Sequence, residues 1–236
     1  MYYNHYGTDA AYILVIAAFA FSLWASWKVK STYRKYSNIR NARGITGASA
    51  ARMVLNRNGL NNVPISPVAG TLTDYYDPSG NAVHLSQSSF SGDSAVAVGV
   101  ACHECGHAIQ YAENYGPAKI RMAIVPVTNF GSKLAMPLII AGALLSSWIP
   151  VLWNLIYLGI GLFSLCVLFQ LVTLPTEFDA SRRALKSIEQ NGILEGDDYL
   201  AAKKVLTAAA LTYVAALAVS LTQLLRLLSI YGKRRN

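Results

Sequence analysis

Read for its apolar and polar positions, the chain contains three long uncharged runs, together sufficient for four membrane spans, and one extended stretch of mixed character. Ala10 to Trp27 is an apolar run of 18 residues, close to the minimum that crosses a bilayer. Leu134 to Thr176 holds 43 residues without one charged side chain, which is two spans rather than one. Ser146-Ser147-Trp148-Ile149-Pro150 supplies the turn between them, with tryptophan at an interface and proline opening the next helix. The first of the pair is short, so it is expected to begin before Lys133 or to insert at an angle. Val205 to Leu225 adds 21 uncharged residues between Lys204 and Arg226, a fourth span or a helix that packs at the membrane surface.

The mixed stretch, Asn41 to Glu113, reads as soluble. Thr46 is placed to cap a short helix through Arg57 that Asn58-Gly59 would close. Two β-type runs, Val68 to Thr73 and Ala82 to Ser86, flank the turn-rich residues 74–81 and predict a hairpin. Asp93 or Ser94 can then cap a helix running to about Tyr111. After Pro175 the chain becomes charged, and Thr176 to Lys186 predicts a separate helix ended by Asn191-Gly192.

Composition supports the membrane reading: 53% hydrophobic and 14% charged residues do not describe a simple soluble globule. The net charge of +8 is not gathered beside aromatic residues as in a nucleic-acid binder, so no nucleic-acid partner is expected. The lysines and arginines flank apolar runs instead. Met1 to Asp9 lacks both, whereas Lys28, Lys30, Arg34, Lys35, Arg40 and Arg43 follow the first run, an anchor pattern rather than a cleaved signal peptide. The positive-inside rule then places the N-terminus outside and residues 31–133 in the cytoplasm. Of the 20 basic residues, all but Arg226, Lys233, Arg234 and Arg235 fall on the cytoplasmic side of this four-span topology. Cys102, Cys105 and Cys166 lie in apolar contexts and predict no disulfide framework.

Within the soluble stretch stands His103-Glu104-Cys105-Gly106-His107, an HExxH sequence on the helix expected to end near Tyr111. Spacing of i,i+4 puts both histidines on one helical face, where two imidazoles can share a Zn²⁺ ion, and sets Glu104 beside the metal as a general base. A catalytic zinc needs a third protein ligand. Glu113 reads as a solvated helix-end charge, because Gln110 replaces the glycine that would turn the chain back to the metal. Glu177 is the strongest candidate. It lies beyond two predicted crossings, so it returns to the side of the membrane that holds His103 and His107. Donors for an oxyanion are conceivable in Arg182, Arg183, His84, Tyr75 or Tyr76. Cys102 and Cys105 read as small buried residues packed behind the site.

The anchor, the Tyr75-Tyr76-Asp77-Pro78 stretch, the strand ending in Leu85-Ser86-Gln87, the block SAVAVGVACHECGHAIQ from Ser94, and LPTEFDASRRAL from Leu174 together resemble the bacterial neutral zinc metallopeptidases of the YugP type. The resemblance covers nearly the whole chain. It implies a membrane-bound zinc peptidase with His103 and His107 as ligands, Glu104 as catalytic acid/base and Glu177 as third ligand. The wider group of membrane gluzincins places an aspartate four residues after the ligand glutamate; here that position is Ser181, and Asp179 lies two residues after.

The expected fold is therefore mainly α, a multi-pass membrane protein with a zincin-like catalytic helix and a small β-hairpin. Its parts are an anchor (1–30), a cytoplasmic-facing catalytic region (31–133), a transmembrane hairpin (134–175), a helix carrying the third ligand (176–200) and a C-terminal membrane helix with a basic tail (201–236). The expected activity is hydrolysis of peptide bonds in a protein or peptide substrate, with one Zn²⁺ per chain and the lipid bilayer as a further partner. One alternative moves the site into the bilayer, as in site-2-type proteases, but Asp93 and Glu113 bracket the motif too closely for a mid-span position. The other is a membrane scaffold or chaperone-like binder with a structural zinc.

Overall fold

The computed structural model describes residues 5–232, with side chains from residue 9 onward; the basic tail Lys233-Arg234-Arg235 lies outside the described residues. Seven α-helices and three short strands follow the order α1 (His5–Ser37), α2 (Gly47–Arg57), β1 (Ile65–Val68), β2 (Tyr75–Asp77), β3 (Ala82–Ser86), α3 (Gln87–Phe90), α4 (Ala95–Ala112), α5 (Gly116–Leu145), a 3₁₀ turn at Pro150–Trp153, α6 (Asn154–Gln190) and α7 (Gly196–Tyr231). Four helical segments, Asp9–Ser37, Gly116–Leu145, Pro150–Gln190 and Gly196–Tyr231, are long and apolar enough to cross a membrane. The mainly α membrane architecture expected from the sequence is present.

The chain forms two compact units. One comprises the described parts of Met1–Trp24, Ile120–Leu174 and Tyr213–Asn236; the other comprises Ala25–Lys119 and Pro175–Thr212. In the first, large apolar side chains such as Ile13, Ile16, Phe19 and Phe130 are exposed, as suits helices that face lipid rather than water. Its small buried cluster joins Ile139, Ile156, Ile160 and Leu227. A Cβ on Gly159 would stand 2.7 Å from the Ala135 carbonyl oxygen, so glycine is what allows α5 and α6 to approach this closely.

The second unit holds a core in which Leu55, Leu85, Val98, Cys105, Ile188 and Ile193 are fully or almost fully buried. Its local structure follows the sequence closely at helix ends. Thr46 Oγ1 accepts the Ser49 amide and opens α2, while Asn58 caps the end and Gly59 takes φ +74°. Ser94 Oγ accepts the Ala97 amide at 3.1 Å and opens α4. The start of α4 is tied down further by the Asn41 amide on Asp93 O (2.8 Å) and the Arg40–Asp93 ion pair (2.7 Å).

Two expectations need correction. The run Val68 to Thr73 is not a strand beyond Val68, because Gly70 (φ +105°) and Leu72 (φ +58°) take backbone angles that no strand contains. Instead β1 pairs with β3 in parallel, and Tyr75–Asp77, expected in the turn, forms the antiparallel partner of β3, giving the order β1-β3-β2. The hairpin is thus β2–β3, closed by the Ser79 amide on Asp77 Oδ1 and by Asn81 at φ +47°. The charged helix expected from Thr176 is also not separate: α6 continues through Pro175 to Gln190, where Asn191-Gly192 ends it as expected, and α7 begins at Gly196. Proline removes one i to i−4 hydrogen bond without stopping a helix that is held by packing on both sides of it. The first helix of the hairpin begins before Lys133, since α5 starts at Gly116.

Candidate metal centre

Helix α4 presents His103 and His107 one turn apart, and α6 presents Glu177 two residues after Pro175. What lets the helices meet is Gly106, where an added Cβ would fall 2.4 Å from Ala180 O and 3.1 Å from Ala180 Cα. Glu177 Oε2 then lies 3.2 Å from His103 Nε2 and 3.6 Å from His107 Nε2, with the two imidazole planes at 84°. These three groups offer ligand atoms all within 4.8 Å of one another and form the candidate metal cluster among the described residues. Donors placed about 2.0–2.1 Å from a tetrahedral zinc stand roughly 3.3 Å apart, so two imidazole nitrogens and a carboxylate at these separations fit the ion and leave a fourth position free.

The cluster is largely shielded from solvent. Glu177 is 2% exposed, Glu104 7% and His107 9%, while His103 is half-buried and marks the open side. Burial pushes the Glu104 carboxyl above the ordinary carboxylate range; His103 and His107 draw it down, and Glu177 and Asp74 push it further up. A carboxylate whose proton affinity is raised in this way is a stronger base than an ordinary one.

Each imidazole is oriented from behind. His103 Nδ1 lies 3.1 Å from Ser181 Oγ, one helical turn after Glu177, at the position where the wider gluzincin pattern has its aspartate. His107 Nδ1 lies 3.0 Å from Gln110 Oε1. The Gln110 amide cannot be reversed, because its Nε2 donates to Thr176 O (2.8 Å) and to Asp179 Oδ2 (3.0 Å), both acceptors only. Gln110 Oε1 must therefore accept from His107 Nδ1–H, which turns Nε2 towards Glu177. Asp179 is in turn held by Arg182 and by Arg183 Nε (2.5 Å), and Arg183 Nη1 also reaches Glu113 (2.5 Å).

The residues singled out from the sequence separate cleanly. His103, Glu104, His107 and Glu177 come together. Glu113 pairs with Arg183, away from the cluster, as expected of a helix-end charge. Asp179 reaches a histidine only through Gln110. Arg182 and Arg183 hold Asp179, Tyr76 donates to Asn81 (2.7 Å), and His84 bonds to Ser66 (2.8 Å) and stacks on Tyr75. Cys102 and Cys105 are fully buried on another face of α4, and burial pushes the Cys102 thiol up to about 12 and Cys105 well above its ordinary range. The sequence reading missed Gln110 and Ser181. Their signal was spacing alone, i+3 from His107 and i+4 from Glu177, and spacing does not say which polar neighbour will face a ligand.

Residues 11–232 match the protein family described as "Putative neutral zinc metallopeptidase". The chain belongs to that family. It is 50% identical over 223 residues to a Bacillus subtilis (strain 168) protein named "Putative membrane protease YugP", covering 94% of this chain and 97% of the relative. No solved structure matches the chain. Family membership and the four apolar helices agree on a membrane protein of the peptidase class, and the family's metal is one that the His, His, Glu donor set fits.

Proposed function

We propose that the protein is a membrane-bound zinc endopeptidase in which His103, His107 and Glu177 hold one zinc ion and Glu104 is the general acid/base. The observation that carries this reading is the convergence of three correctly spaced donors, drawn from α4 and α6, beside a buried glutamate that is not itself needed as a ligand. Bound zinc would act as a Lewis acid on the substrate carbonyl and on the attacking water. Glu104 takes the proton from that water and later delivers it to the leaving amine. Gln110 and Ser181 keep His107 and His103 from rotating, and the burial of Glu104 and Glu177 keeps bulk water from competing for the same protons. Strand β2 is an edge of the sheet, suited to pairing with an extended substrate backbone. The distribution of lysine and arginine favours a site on the cytoplasmic side.

The test is metal content and hydrolysis of casein and of an end-blocked peptide by detergent-purified wild type beside Glu104→Gln and Glu177→Ala. The proposal expects one zinc per chain, internal cleavage of the blocked peptide, a loss of about 10²–10⁴ in turnover with zinc retained in Glu104→Gln, and loss of zinc in Glu177→Ala. Zinc present with Glu104→Gln fully active would instead favour a membrane scaffold with a structural ion.

A further inference from the structure

Away from the metal cluster, the end of α1 and the start of α7 enclose a groove of about 680 Å³ whose charged lining consists entirely of lysines: Lys28 and Lys35 from α1, Lys203 and Lys204 from α7. All four are exposed, and among the described residues none forms an ion pair. Tyr36 stands among them, with Lys35 Nζ 5.3 Å and Lys204 Nζ 5.9 Å from its ring, and Leu211 adds apolar lining. Four like charges drawn from two helices with no acid between them repel one another unless an anion sits in their midst.

The position of the groove along the two helices says which anion. Lys28 follows Trp27, the last residue of the first apolar run, and Lys204 precedes the uncharged run that starts at Val205. Both helices therefore change from apolar to basic at the groove, which is the chemistry of a bilayer interface, where phosphates of anionic lipids lie beside lysine and tyrosine. We propose that this groove binds the phosphate headgroup of one anionic phospholipid, with the lysines and Tyr36 around the phosphate and Leu211, which lies within the uncharged run of α7, against the glycerol and upper acyl chain. The proposal does not rest on the zinc reading.

The test uses the full chain, purified in detergent, with equimolar phosphatidylglycerol and phosphatidylcholine of identical acyl chains, and counts retained lipid by native mass spectrometry. Wild type should keep one phosphatidylglycerol in preference to phosphatidylcholine. At roughly fivefold per lysine, the pairs Lys28→Gln/Lys35→Gln and Lys203→Gln/Lys204→Gln should each lower retention by about 25-fold. Lys30→Gln/Arg34→Gln removes the same charge from the same helix outside the groove, and should retain the lipid. Circular dichroism identifies any variant that has failed to fold, and the other groove pair then carries the test. Equal loss in the Lys30→Gln/Arg34→Gln control would overturn the proposal in favour of diffuse basic charge. So would retention of both lipids alike, or displacement of phosphatidylglycerol by millimolar inorganic phosphate, which would make the site one for free phosphate.

Discussion

Replacing Gly106 by alanine tests the contact that brings the cluster together. The new Cβ would stand 2.4 Å from Ala180 O, whereas real Cβ atoms keep at least 3.0 Å, so α4 and α6 must part by the difference, about 0.6 Å. The obstructing atom is backbone in the middle of α6 and cannot swing aside. Metal sites tolerate ligand displacements of only about 0.2 Å, so the parting exceeds what the two histidines and Glu177 can absorb. Overpacking of this kind costs about 1–3 kcal/mol. The same helices pack Cys105 and Ile188 in one buried core, so part of this cost falls on the fold itself, offset by up to about 1 kcal/mol from alanine's better helix propensity. Whatever parting of the helices relieves the clash must be reversed to bring the ligands together, and this weakens zinc by up to about 150-fold, taking about 1.4 kcal/mol per factor of ten. Competition against a chromophoric chelator measures this directly, and a thermal melt of the metal-free form should show the share borne by the fold as a lower midpoint. Gly99→Ala is the companion variant: its Cβ would meet the Ala202 side chain of α7 at 3.3 Å, a mild contact that leaves the approach of α4 to α6 untouched, and zinc affinity should stay as in wild type. Wild-type zinc affinity and turnover in Gly106→Ala would refute the claim that the α4–α6 approach sets the ligand spacing.

Gln110→Ala removes the acceptor from His107 and the buried donor that ties it to Thr176 O and Asp179 Oδ2, and it should weaken zinc by about 10- to 100-fold; Asp179→Asn, which keeps an acceptor, should weaken it less, and the same chelator titration ranks the two. Ser181→Ala should have the smaller effect of losing one hydrogen bond to a half-buried imidazole, about 0.5–1.5 kcal/mol or 2- to 13-fold in zinc affinity. With its thiol raised to about 12, and Cys105 raised as well, Cys102 stays protonated at pH 8, so maleimide should leave both unmodified in the folded protein and label them after denaturation. Cys102→Ala/Cys105→Ala should retain zinc and turnover, and loss of either would give the thiols a part in the site.

Most of the local structure was legible in the sequence because it rests on short-range chemistry. The Thr46 and Ser94 caps, the Asn58-Gly59 ending and the turn before Pro150 each depend on a side chain bonding to a backbone group a few residues away, or on a backbone angle set by the residue itself. The four apolar segments were legible for a different reason, since a bilayer imposes a minimum length that composition alone can satisfy. The errors fall where packing overrode propensity. Val68 to Thr73 has strand-forming residues but contains two positions at positive φ, and the Tyr75–Asp77 strand exists because β3 offers it an edge. Pro175 looked like a boundary, yet α6 passes through it.

For the site, the HExxH spacing by itself fixed a shared helical face for His103 and His107 and set Glu104 apart from it, because 3.6 residues per turn allow no other arrangement on an α-helix. The charge pattern likewise singled out Glu177, since it is the next carboxylate after Glu113 and an even number of crossings lies between. The tertiary structure alone decided that Glu177 lies within 3.6 Å of both imidazoles, that Gly106 permits it, and that Gln110 and Ser181 rather than an aspartate hold the rings. These are distances between side chains about 70 residues apart in sequence, fixed by how closely two helix backbones approach, and periodicity along one helix carries no information about its distance from another.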